Sequence, residues 1–118
     1  MITVYGIPNC DTVKKARTWL AAHKVDHRFH DFRKDGIDAK TLRQWLKEVG
    51  ADVLINRRGT TWRRLSDADK AEAEGASAAE LLAREPSLIK RPVFDLGDVR
   101  VVGFSAAEQK ILERALKR

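Results

Sequence analysis

One residue in this chain combines reactive chemistry with a setting that would support it. Cys10 sits in the run Gly6-Ile7-Pro8-Asn9-Cys10-Asp11-Thr12-Val13-Lys14-Lys15. Cysteine reacts as its thiolate, and a free thiol with a pKa near ~8.5 is mostly protonated at neutral pH, so a reactive site must stabilise the anion. A helix start does so through its unpaired backbone N–H groups and the positive end of its dipole. Lys14 and Lys15 add positive potential one turn on. A lone cysteine is commonly a small buried hydrophobe, but the turn-forming residues ahead of Cys10 favour the redox role. Since Cys10 is the sole cysteine, no disulfide forms within the chain and a two-cysteine mechanism within the motif is excluded. His23, His27 and His30 do not converge in sequence, so no metal site is expected. Nothing in the sequence brings a histidine to Cys10 for hydrolytic chemistry, and no glycine-rich phosphate loop is present.

The elements that must position Cys10 follow from periodicity. Ile2 to Tyr5 is apolar and β-prone, and Gly6-Ile7-Pro8-Asn9 ends it. Val13, Ala16 and Leu20 then recur at helical spacing, with Asn9 as the expected N-cap and an end near His23. Val25 to Phe32 alternates as a strand, and Lys34-Asp35-Gly36 turns. Asp38 is placed to cap a helix whose Leu42, Trp45, Leu46 and Val49 share one face, and Gly50 stops it. Between Ala51 and Lys90 short helical pieces are expected, one opened by Ser66 and one by a capping box at Ser77-Ala78-Ala79-Glu80. Val93–Leu96 and Val99–Val102 read as a hairpin about Gly97-Asp98. Ser105-Ala106-Ala107-Glu108 opens a last helix with Ile111, Leu112, Ala115 and Leu116 inward. The order predicts an α/β (α+β) protein: a mixed sheet with a parallel crossover first, an antiparallel hairpin last, and helices covering it.

Composition narrows the class. The 118 residues suffice for one core, so one domain is expected across 1–118, with 38–90 mostly helical. Hydrophobic residues at 43% and charged residues at 34% argue against disorder. Twenty-three Lys and Arg against 17 Asp and Glu give a net charge of +6, which favours anionic partners. The basic residues are spread out, without a long block or interleaved aromatics, so nucleic acid is disfavoured. With no spanning run, no leader pattern and one cysteine, the expected location is the cytoplasm, away from the membrane.

The run Tyr5 to Ala16 resembles the opening of the arsenate-reductase-like (ArsC/Spx) family, closest to its YffB subgroup. Arg57-Arg58-Gly59-Thr60-Thr61-Trp62-Arg63-Arg64-Leu65 and Leu88-Ile89-Lys90-Arg91-Pro92-Val93 resemble two further segments of that pattern. The likeness implies a thioredoxin-like fold, a mixed four-stranded sheet with a helical insertion, and a cis Pro92 beside the active cysteine. It also implies that Arg91 stabilises the Cys10 thiolate and holds an anionic substrate by forked hydrogen bonds. Asn9, Thr12, Arg58 and Pro92 are the expected substrate-binding residues.

The resemblance departs at two places. Arsenate reductases of the family use three arginines, and here Gly103 and Asn56 stand where two of them align. Losing two charge-assisted donors, each worth about 1.5–3 kcal/mol, argues against binding a small trianion. Spx relatives carry a second cysteine where this chain has Val13, and they bind RNA polymerase. The expected function is therefore an enzyme, a glutathione-dependent monothiol disulfide oxidoreductase without a bound cofactor. Glutathione would be its co-substrate, and a disulfide or glutathionylated molecule its substrate. An Spx-like adaptor with a protein partner, and an arsenate reductase, are the alternatives.

Overall fold

A computed structural model describes residues 1–117. They form two compact units, one of residues 1–35 with 91–117 and one of residues 36–90.

The first unit is built on a four-stranded sheet of order β2-β1-β3-β4. β1 (Ile2–Gly6) and β2 (His27–Asp31) run parallel, joined by helix α1 (Asp11–Ala22). β3 (Val93–Asp95) pairs antiparallel with β1, and β4 (Arg100–Val102) pairs antiparallel with β3. The pairing Val4↔Phe94↔Val101 lays three apolar side chains across one face. Ala16 and Leu20 of α1 and Leu112 of the last helix belong to the same buried cluster. Period two in the strands and a three-to-four spacing in the helices thus meet on one surface.

Several ends differ from the sequence reading. The hairpin strands stop at Asp95 and Arg100, because Asp95 Oδ1 accepts from the Gly97 amide at 2.9 Å and Gly97 takes φ +98°. The Leu96 amide still donates to the Val99 carbonyl at 3.0 Å, closing the two-residue turn. Only Leu112 of the four expected inward residues of the last helix is fully buried; Leu116 is half-buried and Ile111 is 50% exposed. The row 112/116 faces the sheet, and the row 111/115, about 100° away around the helix, does not.

The second unit is helical: α2 (Ala39–Val49), α3 (Ala51–Leu54), α4 (Thr60–Arg64), α5 (Asp67–Glu72), α6 (Ala78–Arg84) and a 3-10 turn (Pro86–Leu88). Asp38 caps α2, its Oδ1 accepting from the Thr41 amide at 2.8 Å. That backbone hydrogen bond holds its carboxyl below the usual carboxylate range. Leu42 and Trp45 are buried, and α2 packs on α6. Gly50 at φ +86° ends α2 where a side chain would be strained. The box expected at Ser77 does not form: Ser77 makes no side-chain cap, and Glu80 instead meets Arg43 at 2.6 Å. At Ser66 the cap is present, its Oγ accepting from Asp69 N at 3.1 Å.

α7 (Ala106–Leu116) closes the first unit, with the Ser105 amide and hydroxyl donating to Glu108 Oε1 at 2.8 and 2.7 Å. No helix among the described residues is long and apolar enough to cross a membrane.

Candidate active site

The site is set by the close approach of β1 and α1. Gly6, the last residue of β1, is buried against Val13: a Cβ built on Gly6 would lie 2.8 Å from Val13 Cγ2 and 3.4 Å from Cγ1. Valine in a helix has essentially one χ1 rotamer, so it cannot turn aside. Glycine therefore lets the helix start directly over the strand end. Gly6→Ala is expected to cost about 1–3 kcal/mol as overpacking. In a Val13→Ala background, where the clash is relieved, the same glycine change should cost less; urea unfolding of the four proteins of this cycle checks it, and an equal cost in both backgrounds would rule the contact out.

Between strand and helix, Ile7 is buried while Pro8 and Asn9 are exposed. The helix cap is Cys10 itself, not Asn9 as the sequence suggested. Cys10 has extended backbone angles (φ −133°, ψ 122°), and its carbonyl accepts the first helical bond from the Lys14 amide at 2.9 Å. Pro8 and Asn9 complete the turn, which moves the cap one residue onward. Cys10 is half-buried and its side chain makes no cap hydrogen bond. The sulfur is thus carried at the point where a helix presents unpaired amides and partial positive charge. Asp11 brings an acid into the same first turn, while Lys14 and Lys15 face solvent a turn later. Thr12 is exposed in that turn.

The second component comes through the sheet. Tyr5 pairs with Val93, so the next antiparallel position sets Pro92 beside Gly6, at the end of the sheet from which the Cys10 loop departs. The Arg91–Pro92 peptide is cis, as the resemblance implied, and Pro92 is buried. Its carbonyl accepts from the Gly103 amide at 2.8 Å, which ties the segment to the end of β4. A residue without an N–H is suited to the position just ahead of a strand. Arg91, half-buried, precedes it. On the neighbouring pair, burial pushes the Tyr5 phenol up, with the Asp95 carboxylate adding to the rise and Arg100 opposing it.

Asn9, Cys10, Thr12, Arg91 and Pro92 therefore gather at one end of one sheet. Arg58 belongs to the second unit, exposed in the loop ahead of α4. The histidines are spread: His23 ends α1 with Nδ1 2.8 Å from the Trp19 carbonyl, and His27 and His30 lie in β2. Two positions escaped a sequence reading. Gly6 was visible only as a strand breaker, and Gly103 only as a missing arginine. Gly103 has φ +94°, a conformation that side chains rarely adopt.

A family model described as the ArsC family matches residues 5–112. An uncharacterized protein of Haemophilus influenzae is 48% identical over 108 residues, covering 92% of this chain and 95% of that protein. The global transcriptional regulator Spx of Streptococcus pyogenes is 30% identical over 110 residues, covering 92% of this chain and 81% of Spx. A solved structure of a protein named YffB superposes with a TM-score of 0.90 at 47% identity, covering 98% of this chain and 99% of that one. The mixed sheet, the cysteine at the first helix and a match over nearly the full length lead to one conclusion: the chain belongs to the ArsC family and has a thioredoxin-like fold.

Proposed function

We propose that this protein is a glutathione-dependent monothiol disulfide oxidoreductase with Cys10 as its nucleophile. The observation that carries the proposal is the cap position of Cys10 at the end of the sheet where Arg91 and Pro92 also lie. In the first step the Cys10 thiolate attacks one sulfur of a mixed disulfide between glutathione and a substrate thiol. A new bond forms from Cys10 to the glutathione sulfur, the old disulfide breaks, and the substrate leaves as a thiolate that takes a proton from water. In the second step a glutathione thiolate attacks that adduct, releasing oxidised glutathione and the Cys10 thiolate. Two glutathione sulfurs supply the two electrons that reduce the substrate.

The chain's own groups have separable roles. Amides of the first turn of α1 and the Arg91 guanidinium favour negative charge on the sulfur that attacks and later leaves. Asn9, Thr12 and the backbone around Pro92 align the peptide-like substrate. Incubation with oxidised glutathione followed by peptide mass analysis should find one glutathionyl group on Cys10, which added glutathione removes with turnover. A protein that neither forms the adduct nor reduces a glutathione mixed disulfide would refute the proposal.

A second possibility, an adaptor that docks on RNA polymerase, is favoured by the identity with Spx of Streptococcus pyogenes. It is distinguished by capture of polymerase subunits that a Cys10→Ser protein performs equally well, without any disulfide reduction by the native chain.

Arsenate reduction fits less well, for a backbone reason. An arginine at position 103 would have to adopt φ near +94°, at a cost of roughly 1–3 kcal/mol for a non-glycine residue. Gly103→Arg is therefore expected to lower the denaturation midpoint without bringing arsenate-dependent oxidation of glutathione. A stable variant that reduces arsenate would reverse this.

A further inference from the structure

Helices α1 and α7 pack on one face of the first unit's sheet through Ala16, Leu20 and Leu112, and on their outer side Trp19 stands between two recesses. One, of about 410 Å³, is lined by Trp19 with Lys14, Lys15, Thr18, Ala22 and Phe104. The other, of about 360 Å³, is lined by Trp19 with His23, Val25, Glu113, Leu116 and Lys117. Because Trp19 walls both, they make one groove. Its floor is the rim of the core: Trp19, Val25, Phe104 and Leu116 are half-buried and pack against the buried cluster.

The walls are fixed. The Trp19 indole stacks on His23 with ring centroids 3.8 Å apart and meets Phe104 edge-on at 5.9 Å. His23 is held in turn by Nδ1, 2.8 Å from the Trp19 carbonyl. At the end of α1 the Lys24 amide donates to the Ala21 carbonyl at 3.0 Å and the Val25 amide to the Leu20 carbonyl at 2.9 Å, with Lys24 at φ +56°. This pair of bonds around a left-handed residue turns the chain back on the helix, so that Val25 lines the groove and Lys24 borders its end.

The rim is cationic. Lys14 and Lys15 stand at one end and Lys24 and Lys117 at the other, against two carboxylates, Glu113 and Asp26. Among the described residues none of these four lysines is ion-paired. A two-fold contact with a second copy would bring the same lysines together, and like charges oppose it. A lipid surface is met by protruding apolar side chains, whereas Trp19 and Leu116 are half-buried walls of a recess. The lining comes from helices and the turns beside them, so an extended peptide finds no sheet edge there for its backbone; a helix satisfies its own. From Lys15 to His23 α1 rises about 12 Å at roughly 1.5 Å per residue, the span of a little over two turns of a partner helix.

From this geometry we infer that the α1/α7 groove docks an acidic amphipathic helix of a partner protein. Its apolar stripe lies on Trp19, Phe104 and Leu116, and its carboxylates face Lys14, Lys15, Lys24 and Lys117. Apolar anchors at i, i+4 and i+7 match the length of the groove, and acidic residues beside them reach the rim. The inference stands whether or not Cys10 is catalytic, because it concerns the groove alone and its readout is binding.

The test is chemical-shift titration of the full chain with a synthetic helical peptide that carries leucine at i, i+4 and i+7 and glutamate at the flanking positions. Saturable shifts of the Trp19 indole N–H and of residues 14–25, 104 and 113–117 are expected. Lys14→Glu with Lys15→Glu should weaken binding by about tenfold or more. Arg28→Glu with Lys34→Glu, the same change of net charge at exposed positions outside the groove, should alter it by less than about threefold. A peptide with lysine in place of glutamate should not saturate. Absence of saturation with the acidic peptide, or equal weakening by the two double variants, would overturn the inference. Two parallel measurements decide against the other occupants. Anionic phosphatidylglycerol vesicles that shift the same residues where the peptide does not would assign the face to a membrane, and sedimentation that shows a dimer altered by Lys14→Glu with Lys15→Glu would assign it to a second copy; either result overturns the partner helix.

Discussion

Exchanging Cys10 for serine is expected to abolish disulfide exchange and, at the same time, to make the protein more stable. Serine cannot form a disulfide, so exchange should fall to the background rate, a loss on the order of a thousandfold or more when a covalent nucleophile is removed. The stability change follows from the cap geometry. Cys10 occupies the N-cap of α1 without a side-chain hydrogen bond, which leaves the Thr12 and Val13 amides without that partner. A serine oxygen at the same position is among the best acceptors for the N2 and N3 amides, worth about 1 kcal/mol over a non-capping side chain. Turnover of a glutathione mixed disulfide gives the first quantity and the urea midpoint gives the second. Opposite signs are the signature of a cysteine retained for chemistry at the expense of the helix. A serine variant that is clearly less stable would mean the thiol serves packing instead.

The same position shows how far the sequence could be read. The change from β-prone residues to helical spacing around Gly6-Ile7-Pro8-Asn9 was enough to locate a strand-to-helix junction at Cys10 and to expect a charged-sulfur site there. It was not enough to choose between Asn9 and Cys10 as the cap, because both lie within one residue of the helix start and the decision depends on how Pro8 and Asn9 complete the turn. Sheet order was legible because a strand, helix and strand must cross over, whereas a hairpin must not. The placement of Pro92 at the sheet end from which the Cys10 loop departs, some eighty residues on, was expected only from family resemblance; no local pattern encodes the register Tyr5↔Val93. Ser77 failed as a capping box for a related reason. Its Glu80 is taken by Arg43, 37 residues earlier, and such a tertiary partner is invisible to a four-residue motif. Gly103 marks the limit in the other direction: an alignment presents it as a lost arginine, and only the backbone angle of +94° gives the physical reason for glycine.

Phe94→Ala should be the most damaging single change to the first unit, and it should act on the site without touching it. Phe94 is fully buried, pairs with Val4 across β1 and β3 and with Val101 across β3 and β4, and lies 6.0 Å ring to ring from Phe104. Removing a buried phenylalanine costs about 3–5 kcal/mol, a large part of the roughly 5–15 kcal/mol that holds a domain folded. β3 is only three residues long, Val93–Asp95, so Phe94 is its central anchor. The Arg91–Pro92 segment is placed by that strand and by the bond from the Gly103 amide to the Pro92 carbonyl. Loosening β3 therefore lowers activity as well as the denaturation midpoint, and a conservative Phe94→Leu should restore much of both because it refills most of the cavity. Cys10→Ser separates activity from stability, while Phe94→Ala must move them together. If Phe94→Ala unfolded at a lower denaturant concentration yet kept full turnover under native conditions, the pairing of β1 with β3 would not be what positions Pro92 for catalysis.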